Sequence, residues 1–198
     1  MLKTIICALF LFFAVATVRA QSTDSVYNRY LDFNLARLQG DQDKVLELGE
    51  ALIPDTGKLP QKARINFFFS AGKMYEDNDQ PDKALTYYEK VAAAVPYYYV
   101  VHRALGYLYL DKLKATERQL NAPANDAGTN ARLFADYTRA ARIVLAHLEK
   151  AQACDHSDDT LAIIKLLYKN IKDTQGLSTL DGRLKQLNKN CIDILADN

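Results

Sequence analysis

Apolar residues recur along most of this chain at alternating steps of three and four, the spacing that lines one face of an α-helix. Asp24 is placed to cap a first helix over about residues 25 to 38, whose apolar positions are Val26, Tyr30, Leu31, Phe33, Leu35 and Leu38. Val45, Leu48 and Leu52 continue the pattern after the turn at Gly40-Asp41. Phe68 and Tyr75 flank Gly72 on one face, and Ala84, Tyr88, Val91 and Val95 follow at steps of four, three and four. Leu161, Ile164, Tyr168 and Ile171 form a later stripe after a cap at Ser157 or Asp158, with Gly176 expected to end that helix. A final seam runs through Leu177, Leu180, Leu184, Leu187, Cys191 and Ile194. Polar, Gly- and Pro-containing clusters punctuate these stripes at 54–60, 78–82 and 121–130. Alternating strand patterns are missing, so the fold class predicted is all-α.

One segment is more specific than amphipathic spacing. Between Ile65 and Gly106 the chain places a large aromatic, a small residue with Gly, then Tyr, Ala, Tyr, a small apolar residue and Pro, at Phe68, Ala71-Gly72, Tyr75, Ala84, Tyr88, Val91 and Pro96. Leu105-Gly106 and Tyr109 repeat the opening, and Gly72 to Gly106 is 106 − 72 = 34 residues. This resembles the tetratricopeptide repeat, a helix–turn–helix unit of about 34 residues. Phe replaces its Trp, Ala its Leu and Val one of its Ala.

The resemblance implies antiparallel helical hairpins stacked as a short right-handed solenoid. It is divided here into a degenerate repeat at 26–58, a repeat at 65–98, a repeat at 99–158 carrying a long inserted hairpin, and a C-terminal capping pair at 159–196. Gly40-Asp-Gln-Asp-Lys-Val45 echoes Asn78-Asp-Gln-Pro-Asp-Lys-Ala84, so Val45 stands where Ala84 stands. The insertion is read as lengthening of both helices of the third hairpin, with its tip at 121–130.

Residues 1–20 read as a cleavable leader, not as part of the fold. Lys3 precedes an apolar run from Ile5 to Val15, and Val18-Arg19-Ala20 resembles a small-x-small cleavage site. The run is shorter than the roughly 20 residues of a membrane span. The expectation is an exported, periplasmic protein with no stable span after cleavage; a retained anchor is the alternative. The chain has 25 Lys and Arg against 24 Asp and Glu, a net charge of +1; losing Lys3 and Arg19 gives +1 − 2 = −1. A near-neutral chain with dispersed charges has no electrostatic case for nucleic acid.

Candidate chemistry is sparse. Without Cys7, two cysteines remain, Cys154 and Cys191, which permit one disulfide; Cys191 alternatively packs in an apolar stripe. His102 takes a large-aromatic position and reads as a packed core residue, whereas His147 and His156 read as helix surface and helix end. No pair of His has metal-ligand spacing, and no nucleophile elbow, phosphate loop or acid/base pair stands out. No catalytic residues, metal or cofactor are assigned, and the chain is not read as an enzyme.

The resemblance does imply a place for binding. In this family the inner faces of successive first helices line a groove for peptides or extended segments. The corresponding positions are Asn66, Phe69, Lys73 and Glu76 in one repeat, and Val100, Arg103, Tyr107 and Leu110 in the next; the degenerate repeat adds Tyr27, Tyr30 and Asn34. The family's Lys/Asn clamp for a C-terminal carboxylate is not written here, because Phe69 and Lys73, then Arg103 and Tyr107, occupy those positions. What remains is an aromatic surface with two cations, suited to an apolar or aromatic segment of some acidic character. The leading expectation is a non-catalytic scaffold holding a protein or peptide partner. The alternatives are a self-associating structural protein, with a homodimer formed through the C-terminal seam or inserted hairpin, and an accessory binder of a sugar or small ligand.

Overall fold

A computed structural model of the chain describes residues 25–122, 126–193 and 195. The leader expected at 1–20, three residues of the hairpin tip and Ile194 lie outside the described residues. The described residues are helical with short connections and contain no strand beyond one isolated bridge. The chain divides into two compact units. The described part of unit 1 is 25–80 and that of unit 2 is 81–195, so the division falls between Gln80 and Pro81, inside the segment that carries the repeat signature.

Unit 1 comprises α1 (residues 25–39), α2 (Gln42–Leu52), a 3-10 turn (Ile53–Lys58) and α3 (Gln61–Asp77). A left-handed residue at Gly40 (φ +72°) ends α1, with Gly40 N–H donating to Arg37 O and Asp41 N–H to Ala36 O. The Asp41 side chain then caps α2 by accepting from Lys44 N–H. The end of α3 repeats this arrangement. Asp79 (φ 53°) donates to Glu76 O, and Gln80 N–H donates to Tyr75 O. Gly40 and Asp79 are corresponding positions of the two echoed sequences. Both helix ends satisfy their last carbonyls through a residue in the left-handed region.

The core of unit 1 takes Val26, Tyr30, Phe33 and Ala36 from α1, Val45 and Leu52 from α2, and Ala63, Phe67, Ala71 and Met74 from α3. The rings of Phe33 and Phe67 meet edge to face with centroids 5.1 Å apart. Only one of the two apolar stripes of α1 is buried. Leu31, Leu35 and Leu38 are 47%, 53% and 87% exposed.

Unit 2 comprises α4 (Pro81–Ala94), α5 (Tyr99–Leu120), α6 (Ala127–Cys154), α7 (Asp158–Asn170), α8 (Thr174–Ser178) and α9 (Leu180–Leu187). The long antiparallel pair α5–α6 is its spine. A Cβ on Gly106 would run into the Leu148 side chain, so the glycine lets α6 cross close over α5. Leu113, Val144, Leu148, Ile164, Leu167 and Leu180 belong to one buried cluster joining α5, α6, α7 and α9.

Two expectations about the C-terminal part are corrected. Helix α7 stops at Asn170, and Lys172 (φ 58°), not Gly176, takes the left-handed position, with Lys172 N–H on Lys169 O and Asp173 N–H on Tyr168 O. Gly176 lies inside α8, where an added Cβ would strike the Tyr168 ring. The final seam is also not one helix. It breaks at Thr179 and ends at Leu187, and Cys191 is extended (φ −72°, ψ 132°).

Interactions of the tail account for the departure. Cys191 is joined to Cys154 at the end of α6 by a disulfide, with Cα atoms 5.6 Å apart. Ile192 N–H donates to Tyr97 O at 2.9 Å, and Tyr99 N–H donates to Ile192 O at 3.2 Å. Helix α9 is held by a buried carboxylate. Arg183 gives Glu149 two hydrogen bonds, of 3.0 and 2.8 Å, and Tyr168 adds a third of 2.5 Å. Burial and the neighbouring Glu149 carboxylate push the Tyr168 phenol up.

Candidate partner-binding surfaces

In unit 1, α1 and the start of α3 border an open cleft of about 540 Å³. Helix α1 contributes Tyr27, Tyr30, Leu31 and Asn34, and α3 enters with Pro60, Gln61, Lys62 and Ala63. Pro60 precedes α3 with φ −51° and ψ 146°, so the chain arrives extended and turns at the cleft floor. Tyr27 and Tyr30 stand one turn apart with ring centroids at 5.8 Å. Tyr30 is 7% exposed and forms the wall, while Tyr27 is 40% exposed and forms the rim. Asn34 Oδ1 accepts from Arg37 at 2.9 Å. Lys62 is the cation of this lining, which contains no carboxylate.

Asn66, Phe69 and Lys73 continue along α3 on the same helical face as Lys62, at steps of four, three and four. Asn66 and Phe69 are half-buried. Lys73 pairs with Asp77 at 2.5 Å, and that hydrogen bond raises its pKa. Glu76 completes the α3 set in unit 1, and of the α5 positions in unit 2 Arg103 and Tyr107 are engaged by their own chain. Arg103 pairs with the Asp155 carboxylate at 2.5 Å and donates to the Asp155 carbonyl at 2.7 Å. Tyr107 meets the Thr160 hydroxyl at 2.8 Å. The two cations on which an acidic preference rested are therefore already neutralised by Asp77 and Asp155.

Further along unit 2 a smaller pocket of about 260 Å³ opens between α5, α6 and α7, lined in part by Leu110, Tyr137, Ile163 and Leu166. Leu110 is a groove position from the sequence. Sequence reasoning assigned no binding role to Leu31, Lys62, Ile163 or Leu166. The signal available for Leu31 was its place one turn beyond Tyr27 on α1. Lys62 could have been found from Pro60, which fixes where α3 begins.

One polar cluster departs from its sequence reading. His147 is not helix surface: its Nδ1 lies 2.8 Å from Nδ1 of the buried His102, whose Nε2 is 2.9 Å from Pro96 O. His147 also stacks on the Tyr109 ring, with centroids 5.7 Å apart. Tyr109 in turn donates to Glu89. Folding the long hairpin about its tip brings the neighbourhood of 147 opposite 102, so this pairing was in reach of the sequence.

Among the described residues no group of three or more His, Cys, Asp or Glu is placed to hold a metal ion. No helix among them is long and apolar enough to cross a membrane. No family model, curated protein or solved structure matches this chain.

Proposed function

We propose that this chain is a non-catalytic binding protein of tetratricopeptide-like helical hairpins, exported behind the leader at 1–20, and that the α1/α3 cleft of unit 1 holds an extended segment of a protein partner. The observation that carries this reading is the cleft itself: Tyr27 and Tyr30 on successive turns, Leu31 at the rim and Asn34 and Lys62 as polar groups. Such a site offers rigid aromatic area with few polar constraints, which suits an apolar or aromatic side chain. Lys62, with no carboxylate in the lining, favours a neutral or acidic segment over a basic one.

The tetratricopeptide-like reading draws support from recurrent local geometry. Gly40 and Asp79 terminate first helices in the same way at echoed positions. Gly106 admits Leu148 of the facing helix, the role that small residues take in closely packed hairpins. The C-terminal seam is spent inside the chain, with Leu180 buried and Leu177 and Leu184 packed on the unit 2 core, so it is not carried forward as a contact with a second copy.

The test is selection of peptides from a displayed library on the chain lacking 1–20, followed by affinity measurements on two variants. Tyr27→Ala with Lys62→Ala is expected to weaken the selected peptides at least tenfold, because a stacked aromatic and a complementary charge are each worth about 1 kcal/mol. Leu166→Ala, in the other pocket, is expected to leave them unchanged. The reverse pattern would move the site to unit 2. Intact mass of the protein recovered from its native host tests the leader: the chain should begin at Gln21.

A further inference from the structure

We infer that His102 and His147 form an acid-released latch, which tolerates one added proton and separates at the second. Proton positions follow from the partners. The Pro96 carbonyl can only accept, so His102 Nε2 carries a hydrogen and donates to it. In a neutral His102, Nδ1 is then a lone pair, and the 2.8 Å contact requires His147 to donate from Nδ1. The chain of bonds runs from His147 through His102 to the turn between α4 and α5. A first added proton leaves one hydrogen between the two Nδ1 atoms and keeps the bond. A second places a hydrogen on each, and two N–H groups cannot face one another at that distance.

On balance the surroundings oppose both protons, with burial outweighing the Pro96 bond that favours a charged His102. Burial lowers the His102 pKa, and burial, then the His102 charge, brings that of His147 down to about 4. Lys150, on the same helix as His147, adds repulsion at both rings. On α5, Tyr109 stacks against His147, and its phenol directs its hydrogen to Glu89 of α4, so that carboxylate is engaged away from the imidazoles. The Tyr109 pKa rises to about 12, chiefly through burial and then through Glu89.

What the latch holds gives it consequence. Pro96 opens the turn whose next residues, Tyr97 and Tyr99, pair through their backbones with Ile192 of the C-terminal tail. Opening the pair leaves the His102 ring without its anchor on α6, so the turn it grips through the Pro96 carbonyl is no longer tied across the hairpin and that pairing loosens. The disulfide at Cys191 keeps the tail tethered, so acid releases the turn and tail pairing locally.

The sign is fixed by linkage. Both folded pKa values lie below the ordinary His value of about 6.5, so the unfolded chain binds more protons and stability falls as pH falls below that value. Chemical unfolding of the wild type at pH 5 should take up between about one and two protons more than that of the His102→Phe, His147→Leu variant, an excess that shrinks to about half a proton or less at pH 7. His147→Asn, which keeps a donor at the same place, should take up about one fewer than wild type. Equal uptake in wild type and the double variant would overturn the latch.

Two readings on the unaltered protein hold even if the double variant does not fold. Long-range proton–nitrogen spectra at pH 7.5 should show His102 with its hydrogen on Nε2 and His147 with its hydrogen on Nδ1. Titration of either ring with a midpoint near 6.5 contradicts the proposal. The amides of Tyr99 and Ile192 should lose at least tenfold protection between pH 7 and 4.5, after correction for intrinsic exchange; unchanged protection would also sink it.

Discussion

The two units treat their polar and apolar groups differently. In unit 2, contacts between residues distant in sequence tie one helix to another: Cys154 to Cys191, Arg183 and Tyr168 to Glu149, Arg103 to Asp155, Tyr107 to Thr160, and His102 to His147. Two groove positions of α5, Arg103 and Tyr107, are consumed in this bracing. Unit 1 has its own long-range tie, Arg29 to Asp55, but α1 turns Tyr27, Leu31, Leu35 and Leu38 outward. In unit 2, α9 and the disulfide-linked tail pack on the core; in unit 1 the apolar side of α1 remains accessible. The comparison teaches that the same residue type, Tyr, serves as an internal brace on α5, where Tyr107 meets Thr160, and as an open wall on α1, where Tyr27 borders the cleft.

Breaking the braces separates the units most strongly. Replacing Cys154 and Cys191 by Ser opens a loop of 37 residues, which in the chain-entropy account costs about 3–4 kcal/mol. Hydrogen exchange should report this loss in α6 and α9 and leave α1 to α3 unchanged. Gly106→Val forces a branched side chain against Leu148 and should cost about 2–3 kcal/mol in urea unfolding, the scale of overpacking a core. Arg183→Ala strands the Glu149 carboxylate, which is 6% exposed. Because the Arg183 side chain is 34% exposed, water screens part of the pair, and the expected loss is about 1–2 kcal/mol. At the small end, Leu35→Ser with Leu38→Ser should change stability by less than about 0.5 kcal/mol, since neither side chain is buried. A larger loss there would mean that α1 is covered in solution and would dissolve the contrast between the units.

The parts of this structure that were legible in the sequence are local ones. Steps of three and four give the helices, and the echoed segments at Gly40 and Asp79 mark two turns that end in the same backbone conformation. The choice among faces was not legible. The apolar residues of α1 fall on two stripes, and periodicity alone does not say that Phe33 meets Phe67 while Leu35 meets water. The C-terminal seam shows the same limit of a one-dimensional pattern. Its spacing suits a helix through Cys191, but a covalent bond to Cys154 and backbone pairing with Tyr97 and Tyr99 draw that residue off the helix. Groove positions carried over from the resemblance lie on the first helices, yet which of them remain open depends on partners some 52 residues away, as with Arg103 and Asp155. Such pairings are set by how helices pack and leave no trace in local spacing.

The account rests on unit 1 offering its α1/α3 cleft to a partner while unit 2 keeps its corresponding positions for itself. The most direct measurement is an amide-resolved NMR titration of the chain with a peptide selected on it. The account predicts shifts concentrated at Tyr27 to Asn34 and at Gln61 to Ala63, with α5 and α7 unmoved. Shifts centred on Leu110, Ile163 and Leu166, with α1 unmoved, would contradict it.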